Sequence, residues 1–322
     1  MSTNERPFFM PGMHPVELGK YVIVTAPIFR LFTALCRWMI GLKSGCIVYG
    51  QSRIGKTWSI TALTSMLKKE FGDISILSHS MLEHQKRTEK EFFRNMLGSF
   101  EHARADLGNA GQKFDVMIDF LVEEANKNDC KRLLLFIDEA QWLKAIEYGY
   151  LRGIFNMLQK RDVLPMFVLV GDDSLYKEYE TYKTLNNKEI TGRFMNEIYQ
   201  FRGARTEKEV HIALHGYDIT EAPEGSGWTF TKYFFPSAYE SGWRLASQAK
   251  ILRNTYTEII REENKQKSTI EIPMSHLAPA VQHLLTTYSD LDIKAPIFSR
   301  DAWYEALDFA IRPTHRRPPS KK

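Results

Sequence analysis

Short apolar runs alternate with amphipathic stretches along the first two-thirds of the chain. The runs have the length of buried strands, whereas the amphipathic stretches repeat apolar residues every three or four positions, as helices do. This alternation predicts an α/β fold in which helices cover both faces of a parallel sheet, a three-layer αβα domain. The predicted strands are residues 46–49, 74–78, 133–137, 166–170 and 198–201, and the predicted helices between them are 56–71, 89–100, 114–126 and 148–160.

The pattern changes after residue 204. Helical spacing returns at residues 207–214, 243–263 and 301–310, with polar or proline-containing loops between them, and predicts a smaller helical domain. Prolines near the start of the chain predict an extended arm. We therefore expect four parts, which are an N-terminal arm at 1–19, the αβα domain at 20–204, a helical lid domain at 205–311 and a basic, disordered tail at 312–322.

The charge of the chain is concentrated at its end. Of 322 residues, 43% are hydrophobic and 25% charged, as in an ordinary folded protein, and the formal net charge is +4 at pH 7. The tail at 312–322 carries five basic residues and no acidic one, so the rest of the chain has a net charge of −1. The composition therefore does not indicate a strongly basic nucleic-acid-binding body.

Several classes of protein are not supported by the sequence. Three scattered cysteines are too few for a disulfide framework or a zinc site. The first residues lack the basic and apolar segments of a secretory signal, and no stretch approaches the ~18 apolar residues that would cross a membrane. We expect a cytoplasmic protein in a reduced state, with no membrane partner.

The segment after the first predicted strand matches the phosphate-binding pattern G-x-x-x-x-G-K-[ST] and opens the helix at 56–71. Its glycines let the backbone curl so that N–H groups face phosphate oxygens at a helix N-terminus. We expect Lys56 to neutralise the β- and γ-phosphates and the Thr57 hydroxyl to bind Mg²⁺. The predicted nucleotide-binding residues are Gly50, Gln51, Ser52, Arg53, Ile54, Gly55, Lys56 and Thr57.

Two acids, Asp138 and Glu139, follow the apolar strand at 133–137. In a parallel sheet, the carboxyl end of this strand lies at the edge where the phosphate loop begins. Asp138 is therefore a candidate Mg²⁺ ligand, and Glu139 is a candidate to polarise the water that attacks the γ-phosphate. A protein that only bound nucleotide would not need Glu139, so the pair predicts hydrolysis.

Three further residues are candidates for the reaction. Asp172 follows the strand at 166–170 and could contact the γ-phosphate or align the water; an Asp-rich turn is the alternative. Arg193 precedes the last predicted strand and could stabilise the transferred phosphoryl charge in a neighbouring subunit's site. Arg244 opens a helix of the second domain and could reach back to the nucleotide. Each arginine could instead be an ordinary solvated side chain.

Two other nucleotide-dependent classes fit the order of these motifs poorly. Residues 126–129 spell the guanine-reading pattern N-K-x-D, but they come before the Asp138 strand, whereas a guanine reader should come after it. A helicase of superfamily two would need a second motor domain, for which the chain has too little room. ATP is therefore the expected nucleotide.

The order of the phosphate loop, the Asp-Glu strand end, the polar strand end, Gly192-Arg193-Phe194 and Gly242-Trp243-Arg244 resembles that of an AAA+ ATPase. Within that class, the chain resembles the transposition regulators of bacterial transposons, the TnsC, TniB and MuB group, and most of all TnsC, including that of CRISPR-associated transposons. This resemblance covers about residues 20–260 and is carried by 48–57, 137–143 and 234–245. It implies an AAA+ αβα P-loop domain followed by a small helical lid.

The resemblance also implies a function and partners. ATP would drive assembly of the chain into rings or filaments on duplex DNA, with little sequence preference. Such assemblies would recruit and activate a transposase and receive a target-selection protein. The tail at 312–322 could be a flexible tether that meets the transposase or nearby DNA, with a solvated terminus as the alternative. Lys86, Arg87 and Lys144 are candidate contacts to DNA phosphates, with ordinary solvated side chains as the alternative. Many weak contacts along a filament would add up despite the neutral body.

The same motifs leave other functions open. One alternative is an AAA+ loader or defence ATPase that acts on other machinery. Another is a nucleotide-gated scaffold with little turnover. Asp172 also departs from the neutral Asn, Thr or Ser that related transposition regulators tend to carry at this position.

Overall fold

A computed structural model describes residues 5–72, 74–83, 88–263, 270–289 and 298–312. The chain divides into two compact units. The αβα unit comprises Arg30–Ser52 and Lys56–Phe201, and the helical unit comprises Met1–Phe29, Arg53–Gly55 and Arg202–Lys322. Residues 20–29 therefore group with the helical unit, whereas the sequence pattern assigned them to the αβα domain.

Within the described ranges, the αβα unit contains one sheet of five parallel strands. The strands are β1 (Gly45–Tyr49), β2 (Ser75–Ser80), β3 (Arg132–Asp138), β4 (Leu164–Gly171) and β5 (Glu197–Gln200). Their order across the sheet is β2-β3-β4-β1-β5. The predicted parallel sheet is confirmed, and each strand end lies within two residues of its predicted position.

The helices of the αβα unit precede, connect and flank these strands. They are α2 (Ala26–Ile40, with its first turn in the helical unit), α3 (Lys56–Phe71), α4 (Glu89–Ser99), α5 (Ala110–Asn126), α6 (Ala145–Lys160), α7 (Asp173–Thr184) and α8 (Lys188–Phe194), and a 3₁₀ turn spans Ala140–Trp142. The sequence pattern missed α7 and α8. In α7 the pattern is weak because Leu175 is its one fully buried side chain.

Side-chain caps fix where several of these helices begin. Asn109 accepts a hydrogen bond from the Gln112 N–H at 3.0 Å, and the Gln112 side chain accepts one from the Asn109 N–H at 2.9 Å. This reciprocal pair satisfies two N–H groups that the first turn of a helix leaves free. It explains why α5 starts four residues before the apolar pattern that predicted it at 114–126.

The central strands β3, β4 and β1 are buried along most of their length, as the inner strands of a parallel sheet between helices must be. Leu135, Phe136 and Phe167 on β3 and β4 have no exposed surface. The Phe167 ring packs against the rings of Phe155 on α6 and Phe194 on α8, with centroid distances of 6.1 and 5.3 Å. Burial of each such side chain contributes roughly 2–3 kcal/mol.

The strand register brings the functional strand ends to one edge of the sheet. Tyr49 is paired with Gly171 and Gln200, and Asp138 is paired with Ser80. Because all strands run in the same direction, the loops after β1, β3 and β4 leave from this edge. We refer to it as the carboxyl edge and to the opposite edge, where the strands begin, as the amino edge.

The helical unit has its own core. Its helices are α1 (Pro15–Leu18), α9 (Glu207–Ile219), α10 (Phe230–Phe234), α11 (Pro236–Glu240), α12 (Ala249–Glu263), α13 (Met274–Thr287) and α14 (Arg300–Ile311). Tyr217, Phe235 and Trp303 are fully buried in this core. None of the described helices in either unit combines the length and the apolar character needed to cross a membrane.

The first residues of the chain are not the simple extended arm that the prolines predicted. Pro15 occupies the first turn of α1, and the His14 Nδ1 accepts a hydrogen bond from the Val16 N–H at 3.2 Å. The His14 ring is buried and stacks on Tyr233 at 4.3 Å, and this burial lowers the pKa of His14 to about 4. A neutral imidazole thus anchors this segment in the core of the helical unit.

Candidate functional site

The loop between β1 and α3 has the backbone that its sequence requires. Arg53 and Gly55 have positive φ angles of 63° and 109°, so the chain curls between the strand and the helix. Gly50 must lack a side chain, since a Cβ there would lie 2.1 Å from the carbonyl oxygen of Phe201. The segment predicted to bind nucleotide therefore leaves the end of β1 as a curled loop, and its last two residues, Lys56 and Thr57, begin α3.

Lys56 brings a buried positive charge into this loop. Its side chain is 9% exposed, and the ammonium donates hydrogen bonds to the carbonyl oxygens of Gly50 at 2.8 Å and Gln51 at 2.9 Å. Burial lowers the pKa of Lys56, whereas the nearby carboxylates of Glu139 and Asp138 act to raise it. The ammonium is thus held at the loop and balanced by acids at the end of β3, two strands away from β1 in the sheet.

Thr57 and Asp138 meet across the edge. The Thr57 hydroxyl donates to Asp138 Oδ2 at 2.7 Å, and the Glu139 N–H donates to Asp138 Oδ1 at 3.0 Å. Burial raises the pKa of Asp138, and these two hydrogen bonds oppose that rise. The sequence pattern predicted this proximity from residues that are far apart in the chain.

The Thr57–Asp138 pair fits a magnesium ion. A hydroxyl and a carboxylate oxygen are hard ligands of the kind that Mg²⁺ prefers, and Mg²⁺ is usually held by one or two carboxylates together with substrate phosphates. Among the residues that the structure describes, no cluster of three His, Cys, Asp or Glu side chains could hold a metal alone.

Glu139 is held in an unusual conformation beside this pair. Its φ of 54° and ψ of 35° are left-handed, which is uncommon for a residue with a side chain and costs free energy of order 1 kcal/mol. Gln141, in the 3₁₀ turn that follows, donates a hydrogen bond from its amide Nε2 to Glu139 Oε2 at 2.5 Å. The sequence pattern did not single out Gln141 as a residue of this edge. Its one signal in the sequence is its position two residues after Glu139.

Asp172 serves as the N-cap of α7. Its carboxylate accepts hydrogen bonds from the Ser174 N–H at 2.8 Å and from the Ser174 hydroxyl. This is the geometry of the Asp-rich turn that the sequence left open as an alternative. Asp172 nevertheless lies near the loop, because its negative charge acts to raise the pKa of Lys56.

Arg193 lies at the amino edge, away from the phosphate loop of its own chain. Its carbonyl oxygen accepts a hydrogen bond from the Ser44 hydroxyl at 3.0 Å, and Ser44 directly precedes β1. The loop begins after the other end of β1, which has five residues and therefore spans roughly 16 Å. The guanidinium donates to the Glu189 carbonyl at 3.4 Å, within α8.

Arg244 belongs to the helical unit. Its guanidinium donates to the carbonyl oxygens of Tyr239 at 2.8 Å and Trp243 at 2.7 Å, and it lies 3.5 Å from the centroid of the Tyr239 ring. It directly precedes a 3₁₀ turn, Leu245–Gln248, that leads into α12. The helix predicted at 243–263 thus begins with this tighter turn.

The candidate DNA contacts are only partly described. Lys144 is exposed at the start of α6, and its positive charge favours the ionised form of Glu178, whose pKa burial raises to about 7. Lys86 and Arg87 lie outside the described residues, as does the tail beyond Arg312. The Arg312 guanidinium pairs with the Asp308 carboxylate at the end of α14.

Comparisons with known proteins support the fold. Residues 41–177 match a family model described as "AAA domain". Two structures of the Aeropyrum pernix ORC2 protein are similar to the chain, each at 12% sequence identity. The structure of its ADPNP–ADP complexes has a TM-score of 0.56 over 92% of this chain and 71% of that chain, and its ADP form has a TM-score of 0.51 over 89% and 68%. No curated protein sequence matches the chain.

The αβα unit therefore has the AAA+ fold, an αβα P-loop domain, and a helical part follows it. Its carboxyl edge brings together a buried lysine, a hydroxyl–carboxylate pair and a second carboxylate. Groups of these kinds can bind a polyphosphate together with Mg²⁺ and polarise a water molecule.

Replacing Thr57 with valine tests the pairing at this edge. Thr57→Val keeps the side-chain shape but removes the donor to Asp138, so the burial that raises the Asp138 pKa is less opposed. Because a metal ligand must be deprotonated, we expect Mg²⁺-dependent affinity for an ATP analogue to fall about 10-fold at pH 8 and further at pH 6. Equilibrium binding of a fluorescent ATP analogue at both values measures this.

Thr64→Val is the matched control. Thr64 lies on the same helix, where its hydroxyl donates to the Ile60 carbonyl at 2.9 Å. We expect its affinity to equal that of the wild type at both pH values. Wild-type affinity of Thr57→Val at pH 6 would show that the Thr57–Asp138 pair does not serve the nucleotide.

Proposed function

We propose that the chain is an ATPase that assembles on duplex DNA and regulates DNA transposition. The observation that carries the proposal is the carboxyl edge of the sheet, where Lys56, the Thr57–Asp138 pair and Glu139 lie together. ATP is the proposed nucleotide because the guanine-reading pattern is misplaced in the sequence. The similar ORC2 structures were determined with ADPNP and ADP.

Hydrolysis is proposed because the residues at this edge could take the separate roles that the reaction needs. The loop N–H groups and the Lys56 ammonium bind the phosphates, and Lys56 would exchange its carbonyl partners for phosphate oxygens. Thr57 and Asp138 would hold Mg²⁺, and the bound ion would neutralise part of the phosphate charge. The Glu139 carboxylate would then polarise the attacking water.

Arg193 supports action between subunits. Because it lies at the amino edge, it would require a neighbouring chain's nucleotide if it is to stabilise the phosphoryl charge. This placement favours an assembly such as a ring or a filament in which one subunit completes the site of the next. Asp172 would contribute its charge near the phosphate, and Arg244 is proposed from the resemblance alone.

Binding to DNA and regulation of transposition are supported by the resemblance to the TnsC, TniB and MuB group. Lys144 is exposed and available to a DNA phosphate, and Lys86 and Arg87 are proposed from their position in the sequence. Because the chain without its tail is nearly neutral, we expect one chain to bind DNA weakly and an assembly of many chains along the duplex to bind it strongly. The transposase and the target-selection protein are the proposed protein partners.

ATP turnover measured with and without duplex DNA, together with electron microscopy, tests the proposal. We expect DNA to stimulate turnover and ATP to produce rings or filaments on the duplex. Turnover that is indifferent to DNA, without such assemblies, would favour a loader or defence ATPase. DNA-bound assemblies with negligible turnover would instead favour a nucleotide-gated scaffold.

Mixing two inactive variants tests the role of Arg193. Arg193→Ala lacks the proposed arginine, and Lys56→Ala lacks the phosphate-binding lysine, so each alone should hydrolyse ATP poorly. If Arg193 acts in a neighbouring site, mixed assemblies contain some complete sites, and turnover should recover to a fraction of the wild-type rate. No recovery in mixtures shown by microscopy to co-assemble would contradict action between subunits.

A further inference from the structure

Gln141 joins two strand ends at the carboxyl edge. Its amide Nε2 donates to Glu139 Oε2 at 2.5 Å, after β3, and its Oε1 accepts a hydrogen bond from the Asp172 N–H at 3.2 Å, after β4. An amide is suited to this place because one end donates to a carboxylate and the other accepts from a backbone N–H. The two partners therefore fix the orientation of the amide.

The end of β4 is shaped to receive this side chain. A Cβ at Gly171 would lie 2.6 Å from Gln141 Oε1, so the amide occupies the space that a larger residue would fill. The Gly171 carbonyl in turn accepts a hydrogen bond from the Gly50 N–H at 3.3 Å, at the start of the phosphate loop. Gly171 thus contacts both the phosphate loop and the side chain that holds Glu139.

The Glu139 carboxylate depends on such a contact for its direction. The left-handed backbone at Glu139 sets where its side chain starts, but rotation about the side-chain bonds remains. A hydrogen bond from a neutral donor to a carboxylate is stronger than one between neutral groups and favours a single orientation. The hydrogen bond from Gln141 engages Oε2 of Glu139 and leaves Oε1 able to accept a proton or polarise a water molecule.

We propose that Gln141 is a positioning residue for Glu139, whose amide aims the carboxylate at the attacking water and ties it to the end of β4 beside the phosphate loop. This inference rests on the proposed ATPase function, in which Glu139 acts on the water. It assigns to Gln141 an effect on the chemical step and none on nucleotide binding.

Steady-state ATP hydrolysis by the full chain with Mg²⁺ and duplex DNA tests this role. Gln141→Ala removes the donor, and Gln141→Glu keeps the shape and the acceptor but places a second carboxylate beside Glu139. We expect kcat to fall about 10-fold in Gln141→Ala and at least as far in Gln141→Glu, with KM and the affinity for a non-hydrolysable ATP analogue unchanged. Gln159→Ala, at an exposed position of α6, is the matched control and should keep the wild-type kcat.

Gly171→Ala perturbs the same contact from the other side. Its methyl group would lie 2.6 Å from Gln141 Oε1 and 3.0 Å or more from the Leu175 side chain, so the amide is displaced most, and kcat should fall towards that of Gln141→Ala. In the double variant the methyl group occupies the space that the amide left, and kcat should fall no further than in Gln141→Ala alone. If the fold-reductions in kcat of the two single variants multiply in the double variant, the two residues do not act through one shared contact.

Glu139→Gln separates failure of this inference from failure of the proposed function. If Glu139→Gln hydrolyses ATP at the wild-type rate, the proposed role of Glu139 is wrong, and the role of Gln141 falls with it. If Glu139→Gln is inactive while Gln141→Ala keeps the wild-type kcat, the positioning role alone is wrong. A rise in KM with unchanged kcat in Gln141→Ala would show a binding role instead.

Discussion

The buried ammonium of Lys56 is the constraint on which the site depends. A buried charge is costly unless hydrogen bonds and opposite charges compensate it. Here two loop carbonyls accept hydrogen bonds from the ammonium, and the carboxylates of Asp138 and Glu139 lie near enough to oppose the lowering of its pKa by burial. This compensation requires both the curled loop after β1 and the acids at the end of β3. The Lys56 charge therefore links the loop to the sheet.

The parallel register supplies that coupling. It places the ends of β1, β3 and β4 at one edge, and Gly171 links them, because its carbonyl holds Gly50 and its lack of a side chain admits Gln141. The same register places Arg193 at the opposite edge, at the start of β1. One sheet thus separates the groups proposed to bind a chain's own nucleotide from the arginine proposed to act on a neighbour's nucleotide.

The sequence was sufficient for features that depend on short-range pattern. The central strands β1, β3 and β4 are mostly apolar runs, and α3 has the predicted bounds. The helix α13 was missed because Pro279 argues locally against a helix, and burial of Leu277, Val281 and Leu284 outweighs that preference. Gln141 was missed because its role depends on Gly171, thirty residues away, which no local pattern reveals. The roles of Asp172 as a helix cap and His14 as a buried anchor likewise depend on contacts, not on composition.

Equilibrium binding of Mg²⁺–ATP to the wild type and to Lys56→Ala, measured by titration calorimetry, tests the central claim most directly. If the buried ammonium is the phosphate-binding charge, the wild type binds at a single site and Lys56→Ala loses at least 100-fold in affinity while keeping its helical content by circular dichroism. Wild-type affinity in a folded Lys56→Ala variant would contradict the account.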